Sequence, residues 1–266
     1  MVTVFLFILG ACIGSFLNVL IDRLPFDKSP WKGRSYCDNC KKTLKWYDLI
    51  PVLSFVLLQG KCRYCRKHVS YYYPLVEIIT GIMFVLTFTY VYRLPTTDYS
   101  SLFSIYHFPF IILSYYLAIV SSLIVIFFSD LKYGIIPDKI VFPTIVVSFF
   151  YLILNTNYLI PNILSALTSF LFFLFLHLIT RGKGMGFGDV KLAFLIGLIL
   201  GFPHSVTAFY IAFLTGAFVG IILIIWKKKR LSGGKVPFGP FMVLGTFVSL
   251  FCGSQILQMA SRLLNF

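Results

Sequence analysis

The sequence predicts an all-α, polytopic membrane protein of about eight transmembrane helices with one polar loop on the cytoplasmic side. Three observations carry that prediction. Of 266 residues, 59% are hydrophobic and only 12% are charged, about half the charged share of a soluble domain. The charges are clustered, leaving stretches long enough for spans of about 20 apolar residues. Those stretches are continuous rather than alternating, which selects helices over a closed barrel.

The first span is Val2–Ile21. It lacks a positively charged start and is too long for the apolar core of a signal peptide, so it is expected to stay in the membrane. Arg23 and a basic loop follow it, which places the amino terminus outside. The loop Asp22–Tyr72 is too short for an ordinary soluble core and needs a staple or packing against the membrane part. Further spans are expected at 73–92, 109–129, 139–160, 162–180, 190–203, 205–226 and 238–261. Tyr92, Tyr99 and Tyr106, around the 93–108 connection, suit a membrane interface. The sixth span is short and limited by Pro203, so it reads as a tilted or half-buried helix inside the bundle. No internal repeat is evident. The organisation is a first helix at 1–21, a loop domain at 22–72 and a seven-helix membrane domain at 73–266.

The formal charge of +14 invites a nucleic-acid partner, but its distribution excludes one. Residues 22–72 hold eleven of the 23 Lys and Arg, and ten more sit in 131–139, 181–191 and 227–235. A single alternating topology puts all those segments in the cytoplasm, leaving Arg93 and Arg262 on the other side. This is the positive-inside pattern. It makes the lipid bilayer the partner, with Lys227-Lys228-Lys229-Arg230 as a topology anchor.

Two features carry chemistry. The first is Cys37-x-x-Cys40 with Cys62-x-x-Cys65, the pairs 21 residues apart, close to the spacing of a four-thiolate zinc site. Each short spacing lets two sulfurs reach one ion, and structural disulfides are disfavoured in a reducing compartment. Unrelated thiols or a redox pair are the alternatives. Cys12 and Cys252 lie within spans and read as small packing residues.

The second is the placement of aspartates where apolar spans meet basic loops. Asp138 follows Pro137 and opens the fourth span, where a capping carboxylate is expected. Asp189 closes Gly186-Phe187-Gly188-Asp189 and opens the sixth span, so capping accounts for it in part. Asp130 stands at the carboxyl end of the third span, where the helix dipole disfavours negative charge. Two carboxylates meeting there could share a proton and activate water, as in an aspartic protease. Glu77, just inside the second span, is either a functional group or a partner for a loop lysine or arginine. Asn18 and Arg23 are similarly placed at the end of the first span.

These residues fall in an order that resembles the bacterial type IV prepilin peptidases. The resemblance runs from Gly14-Ser15-Phe16-Leu17-Asn18 and Arg23-Leu24-Pro25 through the two cysteine pairs and Trp46-Tyr47-Asp48-Leu49-Ile50-Pro51. It continues through Gly60-Lys61-Cys62, Tyr73-Pro74-Leu75-Val76-Glu77, Asp130 with Ile136-Pro137-Asp138, Gly186–Asp189 and Pro237-Phe238-Gly239-Pro240. Gly-x-Gly-Asp alone is a weak signal; the ordered set is specific.

The resemblance implies that Asp130 and Asp189 are the catalytic pair, supported by Gly186, Gly188, Asp138, Asn18 and Arg23. It implies a multi-pass enzyme of the bacterial cytoplasmic (inner) membrane that cleaves prepilins or pseudopilins after a glycine. It also implies methylation of the new amino terminus from S-adenosylmethionine, with Gly60, Lys61 and Glu77 as candidate binding residues. Structural zinc on Cys37, Cys40, Cys62 and Cys65 completes the set. Pilus, competence and secretion roles all remain open. A proton- or cation-coupled transporter using Asp130, Asp189 and Glu77 as a relay would place its acidic groups near the bilayer midplane; here they gather at one interface. A non-enzymatic pilus assembly subunit gives no reason for Asp130.

Overall fold

A computed structural model describes residues 1–37, 39–93, 108–182, 184–225 and 237–263. Tyr99, Tyr106 and the Lys227–Arg230 run lie outside the described residues, as does Asp38 between two of the cysteines. Among the described residues the α-helices are α1 (Val2–Arg23), α2 (Leu53–Leu57), α3 (Tyr72–Arg93), α4 (Phe108–Tyr133), α5 (Asp138–Leu154), α6 (Thr156–Ile179), α7 (Phe187–Leu200), α8 (His204–Ile225) and α9 (Gly239–Leu263). Extended pairing among them is limited to two isolated antiparallel bridges, Tyr36 with Thr43 and Lys61 with His68.

Six of these helices are long and apolar enough to cross a membrane: α1, α3, α4, α6, α8 and α9. The expected count of eight is therefore approximate. The two shorter ones are α5, with 17 residues, and α7, with 14. At 1.5 Å per residue α7 is about 21 Å long, well under the roughly 30 Å hydrocarbon core.

The chain forms two compact units, Met1–Val125 and Ile126–Phe266, with the boundary inside α4. In the first unit α1 packs along α3 through small residues. A Cβ at Gly10 would lie 2.9 Å from the Cα of Gly81, and one at Gly14 would lie 2.8 Å from the Cα of Glu77. Glycine is required there because the two backbones nearly touch, as in other small-residue crossings within membranes.

In the second unit α7 is the central helix. Val190, Leu192, Ala193 and Leu195–Ile199 are all buried, packed against α5, α6, α8 and α9. Its approach to α6 is equally tight, since a Cβ at Gly197 would meet the Cα of Ala166 at 2.7 Å. The Asn162 side-chain amide donates to the Leu198 carbonyl at 3.0 Å, and the Ser165 and Ser205 hydroxyls are 2.8 Å apart. The polar groups beside the end of α7 are thereby satisfied within the unit.

One boundary and the setting of two cysteines differ from expectation. The break between the fourth and fifth predicted spans falls at Asn155 rather than near Pro161. Asn155 donates its side-chain amide to the Tyr151 carbonyl at 3.0 Å, ending α5, while Pro161 lies inside α6. Cys12 and Cys252 are exposed on their helices rather than packed inside; on membrane-spanning segments such surfaces face lipid, where a small apolar thiol is well tolerated.

Candidate active site and metal centre

In the second unit, α4 carries Asp130 one turn before its end. The helix stops at Gly134, whose N–H donates back to the Asp130 carbonyl at 2.8 Å and whose φ of +66° suits glycine. Asp130 is buried at the end of the helix that repels negative charge. Asp189 lies in the first turn of α7, also buried, where its Oδ2 accepts the Gly186 N–H at 3.0 Å. The α7 dipole favours an ionised carboxylate there.

Ile136 lies between the surroundings of the two. Cβ atoms at Gly188 and Gly239 would meet the Ile136 side chain at 3.2 and 3.3 Å. The carboxylates are close enough for Asp189 to repel Asp130 electrostatically, and the Gly239 N–H is directed at Asp130. A Cβ at Gly239 would lie 2.5 Å from Asp130 Oδ2. Among the described residues that Oδ2 has no hydrogen-bond partner.

Asp138 stands in the first turn of α5, after Pro137, which holds the cap position itself. Its carboxylate pairs with the Lys191 ammonium, which also lies over the Phe142 and Phe187 rings. The chain thus brings Asp130 and Asp189 together and gives Asp138 a separate ion-pair partner. Sequence reasoning missed His177. Its Nδ1 lies 2.9 Å from the Met185 carbonyl, and its ring meets Phe187 edge-on at 5.9 Å. It therefore holds the segment leading into Gly186–Asp189. A histidine closing an apolar run just before a glycine-rich segment was the available signal.

In the first unit the four cysteines converge: the Sγ atoms of Cys37, Cys40, Cys62 and Cys65 all lie within 4.8 Å of one another, a set that could hold a metal ion. Each pair sits on the same turn. The Cys37 N–H donates to the Lys42 carbonyl at 3.0 Å and the Lys41 N–H returns to Cys37 at 2.8 Å. The Cys62 N–H donates to Lys67 at 2.8 Å and the Arg66 N–H returns to Cys62 at 2.9 Å. Lys41 and Arg66 occupy equivalent left-handed positions, with φ of +56° and +59°. This is a local repeat the sequence reading did not find, although Cys-x-x-Cys-Lys-Lys and Cys-x-x-Cys-Arg-Lys spell it out.

The turns also tune the thiols. The Lys67 N–H, then the Asn39 amide, draw the Cys65 thiol down to about 6. The Cys40 N–H lowers Cys37. The Lys42 N–H acts on Cys40 in the same sense, but burial and sharing with Cys37 and Cys65 outweigh it, and that thiol is pushed up to about 11. Asp48 braces the second turn, accepting from Arg63 Nε at 2.6 Å and Tyr64 hydroxyl at 3.1 Å. Burial pushes the Asp48 carboxyl up, yet Arg63, the Lys45 N–H and Tyr64 together hold it below the usual carboxylate range.

The remaining candidates build the loop. The Arg23 guanidinium donates to carbonyls of the 29–34 segment, with Lys32 nearest at 2.9 Å. Asn18 donates to the Tyr73 carbonyl at 3.1 Å, leaving its buried Oδ1 without a partner among the described residues. Glu77 Oε2 accepts the Val52 N–H at 2.7 Å, and the Ser15 hydroxyl donates to the same carboxylate. Gly60, at φ +68°, receives the Val69 N–H at 2.8 Å. Lys61 donates its backbone N–H to the Leu58 carbonyl at 3.0 Å.

Residues 8–91 match the bacterial peptidase A24 N-terminal domain, and residues 117–221 match the type IV leader peptidase family. A prepilin leader peptidase/N-methyltransferase of Bacillus subtilis (strain 168) is 30% identical over 256 residues, covering 95% of each chain. The Legionella pneumophila protein of the same name is 29% identical over 278 residues, covering 92% of this chain and 90% of that one. The Myxococcus xanthus (strain DK1622) protein of that name is 31% identical over 230 residues; the match covers 84% of this chain and 63% of its relative. No solved structure matches significantly. With two family domains in tandem and a relative aligned almost end to end, the chain belongs to the type IV leader peptidase family.

Proposed function

We propose that this protein is a membrane aspartyl endopeptidase that removes the leader from type IV prepilins or pseudopilins, and that it methylates the new amino terminus. The observation that carries the peptidase reading is the buried Oδ2 of Asp130, without a partner among the described residues, beside a second buried carboxylate. A buried acceptor left without a partner costs about 1–3 kcal/mol. Water or a substrate atom meeting it during turnover gives that cost a purpose.

The two helix ends divide the work. Asp189, hydrogen-bonded by Gly186 at the start of α7, acts as the base that takes a proton from water. Asp130, at the repelling end of α4, carries the shared proton and donates it toward the scissile carbonyl. Water adds to the carbonyl carbon of the leader's last glycine, the C–N bond to the following residue breaks, and the leaving amine takes up the proton. Cleavage after glycine, the cytoplasmic side of the site and the external amino terminus belong to the same proposal, supported by the family and by the basic segments.

The loop 22–72 serves the methylation part and 73–266 the peptidase part. The four sulfurs suit zinc. A tetrahedral ion with Zn–S near 2.3 Å sets its ligands about 3.8 Å apart, and Cys37 and Cys65 Sγ are 3.9 Å apart. A closed four-thiolate site is structural, leaving no position for catalysis. S-adenosylmethionine supplies a methyl group on a positively charged sulfur. Asn18 Oδ1, a buried acceptor without a partner among the described residues, and the Glu77 carboxylate on α3 are oxygens suited to a cationic group. Gly60 and Lys61 complete the proposed binding residues.

The test is mass spectrometry of a co-expressed prepilin, comparing wild type with Asp189→Asn. A product shortened and methylated only with wild type supports both activities. Normal cleavage by the variant overturns the dyad. Glu77→Gln is expected to weaken methylation more than cleavage.

A further inference from the structure

The loop that holds the four cysteines carries an apolar face that no described residue of the first unit covers. In α2, Leu53 is 53% exposed, Val56 63% and Leu57 73%. They recur at i, i+3 and i+4, so they share one face. The opposite side is occupied: the Phe55 ring lies 3.1 Å from where a Gly60 Cβ would sit and meets Tyr71 edge-on at 5.3 Å. In water, such a face on a five-residue helix would be a liability.

The position of α2 says what covers it. Val52, the residue before α2, is pinned by its N–H to Glu77 Oε2 at 2.7 Å. Glu77 is five residues inside α3, about 7.5 Å along its axis, and α3 is apolar enough to span from Tyr72 onward. A helical side chain reaches back toward the amino end of its helix, which still leaves Val52 level with the first turn of α3. The chain is forced to make this contact. Val52 is β-branched yet adopts φ +59° and ψ −48°, with the Leu53 N–H donating to the Pro51 carbonyl at 2.5 Å. That is a strained γ-turn, persisting because the surrounding structure over-determines it. Exposed Arg63, Arg66 and Lys67 follow α2 in the chain, suiting anionic headgroups.

We propose that α2 is an interfacial anchor, lying at the headgroup–acyl boundary of the leaflet in which α3 begins, with Leu53, Val56 and Leu57 in the hydrocarbon. The occupant of this face is the lipid acyl chain. Glu77 is the strut that ties the anchor to α3 and fixes the depth of the loop. This goes beyond the proposed reaction and does not depend on it.

The chain has three tryptophans, Trp31, Trp46 and Trp226. Replacing each by phenylalanine and adding Leu57→Trp gives a single reporter in the full-length protein, with bound zinc as the check on folding. The protein is reconstituted in phosphatidylethanolamine/phosphatidylglycerol vesicles whose acyl chains carry bromine near the headgroup. Expected is severalfold stronger quenching by acyl-chain bromine than by aqueous iodide, with emission shifted to the blue. Strong iodide quenching without bromine quenching overturns the proposal. Protection from iodide that appears only when a prepilin is added also overturns it, by making the face a protein-docking surface. Val56→Trp replaces Leu57→Trp if the latter fails to bind zinc. Because the readout needs no turnover, its failure is separate from failure of the peptidase reading.

Discussion

Glu77 and Asp130 are both carboxylates buried near the ends of apolar helices, at 8% and 5% exposure, yet their surroundings are opposite. Glu77 is met by the Val52 N–H and the Ser15 hydroxyl. Asp130 sits at the wrong end of its helix dipole, keeps one oxygen without a partner among the described residues, and faces a second carboxylate. Burial alone does not separate a strut from a reactive group. The partners do. A satisfied buried carboxylate organises structure, whereas one left in electrostatic conflict stores the capacity to react.

The largest expected effect breaks the conflicted side. Asp130→Asn keeps the shape but removes a titrating group, and should lower the rate of leader cleavage by at least about a hundredfold. Normal cleavage in a co-expression assay would remove Asp130 from the chemistry. Next comes the metal centre. Replacing Cys37 and Cys40 together by serine should abolish bound zinc and make the 27–71 segment protease-sensitive, because metal binding supplies folding free energy in such small sites. Unchanged metal content would refute the ligand set.

On the satisfied side the effects are smaller. Glu77→Leu leaves the Val52 N–H without an acceptor and should destabilise the loop by about 2 kcal/mol, whereas Glu77→Gln keeps a neutral acceptor and should cost about 1 kcal/mol. Exchange of the Val52 amide reports both, and equal costs would deny the strut. Smallest is the acid dependence of Asp48. Its carboxyl is lower in the folded loop than in an unfolded chain, so its contribution is complete above the ordinary carboxylate value near pH 4. It is lost as the pH falls through the lower folded value. The stability difference between wild type and Asp48→Asn should therefore shrink only below about pH 4; a difference growing toward acid would reverse the sign.

Much of this was legible in the chain. Continuous apolar runs located the long helices because each must satisfy its backbone inside lipid. Cysteine spacing located the sulfurs because a two-residue gap lets one turn present both. The loop's internal wiring was not legible. The Val52–Glu77 bond joins residues 25 apart in sequence, and no periodicity encodes such a contact. The roles of His177 and Asp48 were missed for the same reason, since each depends on contacts made only in the folded chain. The exposed faces of Cys12 and Cys252 depend on helix rotation, which a uniformly apolar span does not specify.

The closeness of Gly239 to Asp130 has a practical consequence. A single methyl group at that position would collide with the carboxylate's free oxygen and push it away, while both acids and their charges stayed in the protein. Gly239→Ala is thus a way to disarm the enzyme by crowding instead of by chemistry, a form suited to capturing an uncleaved prepilin in its complex.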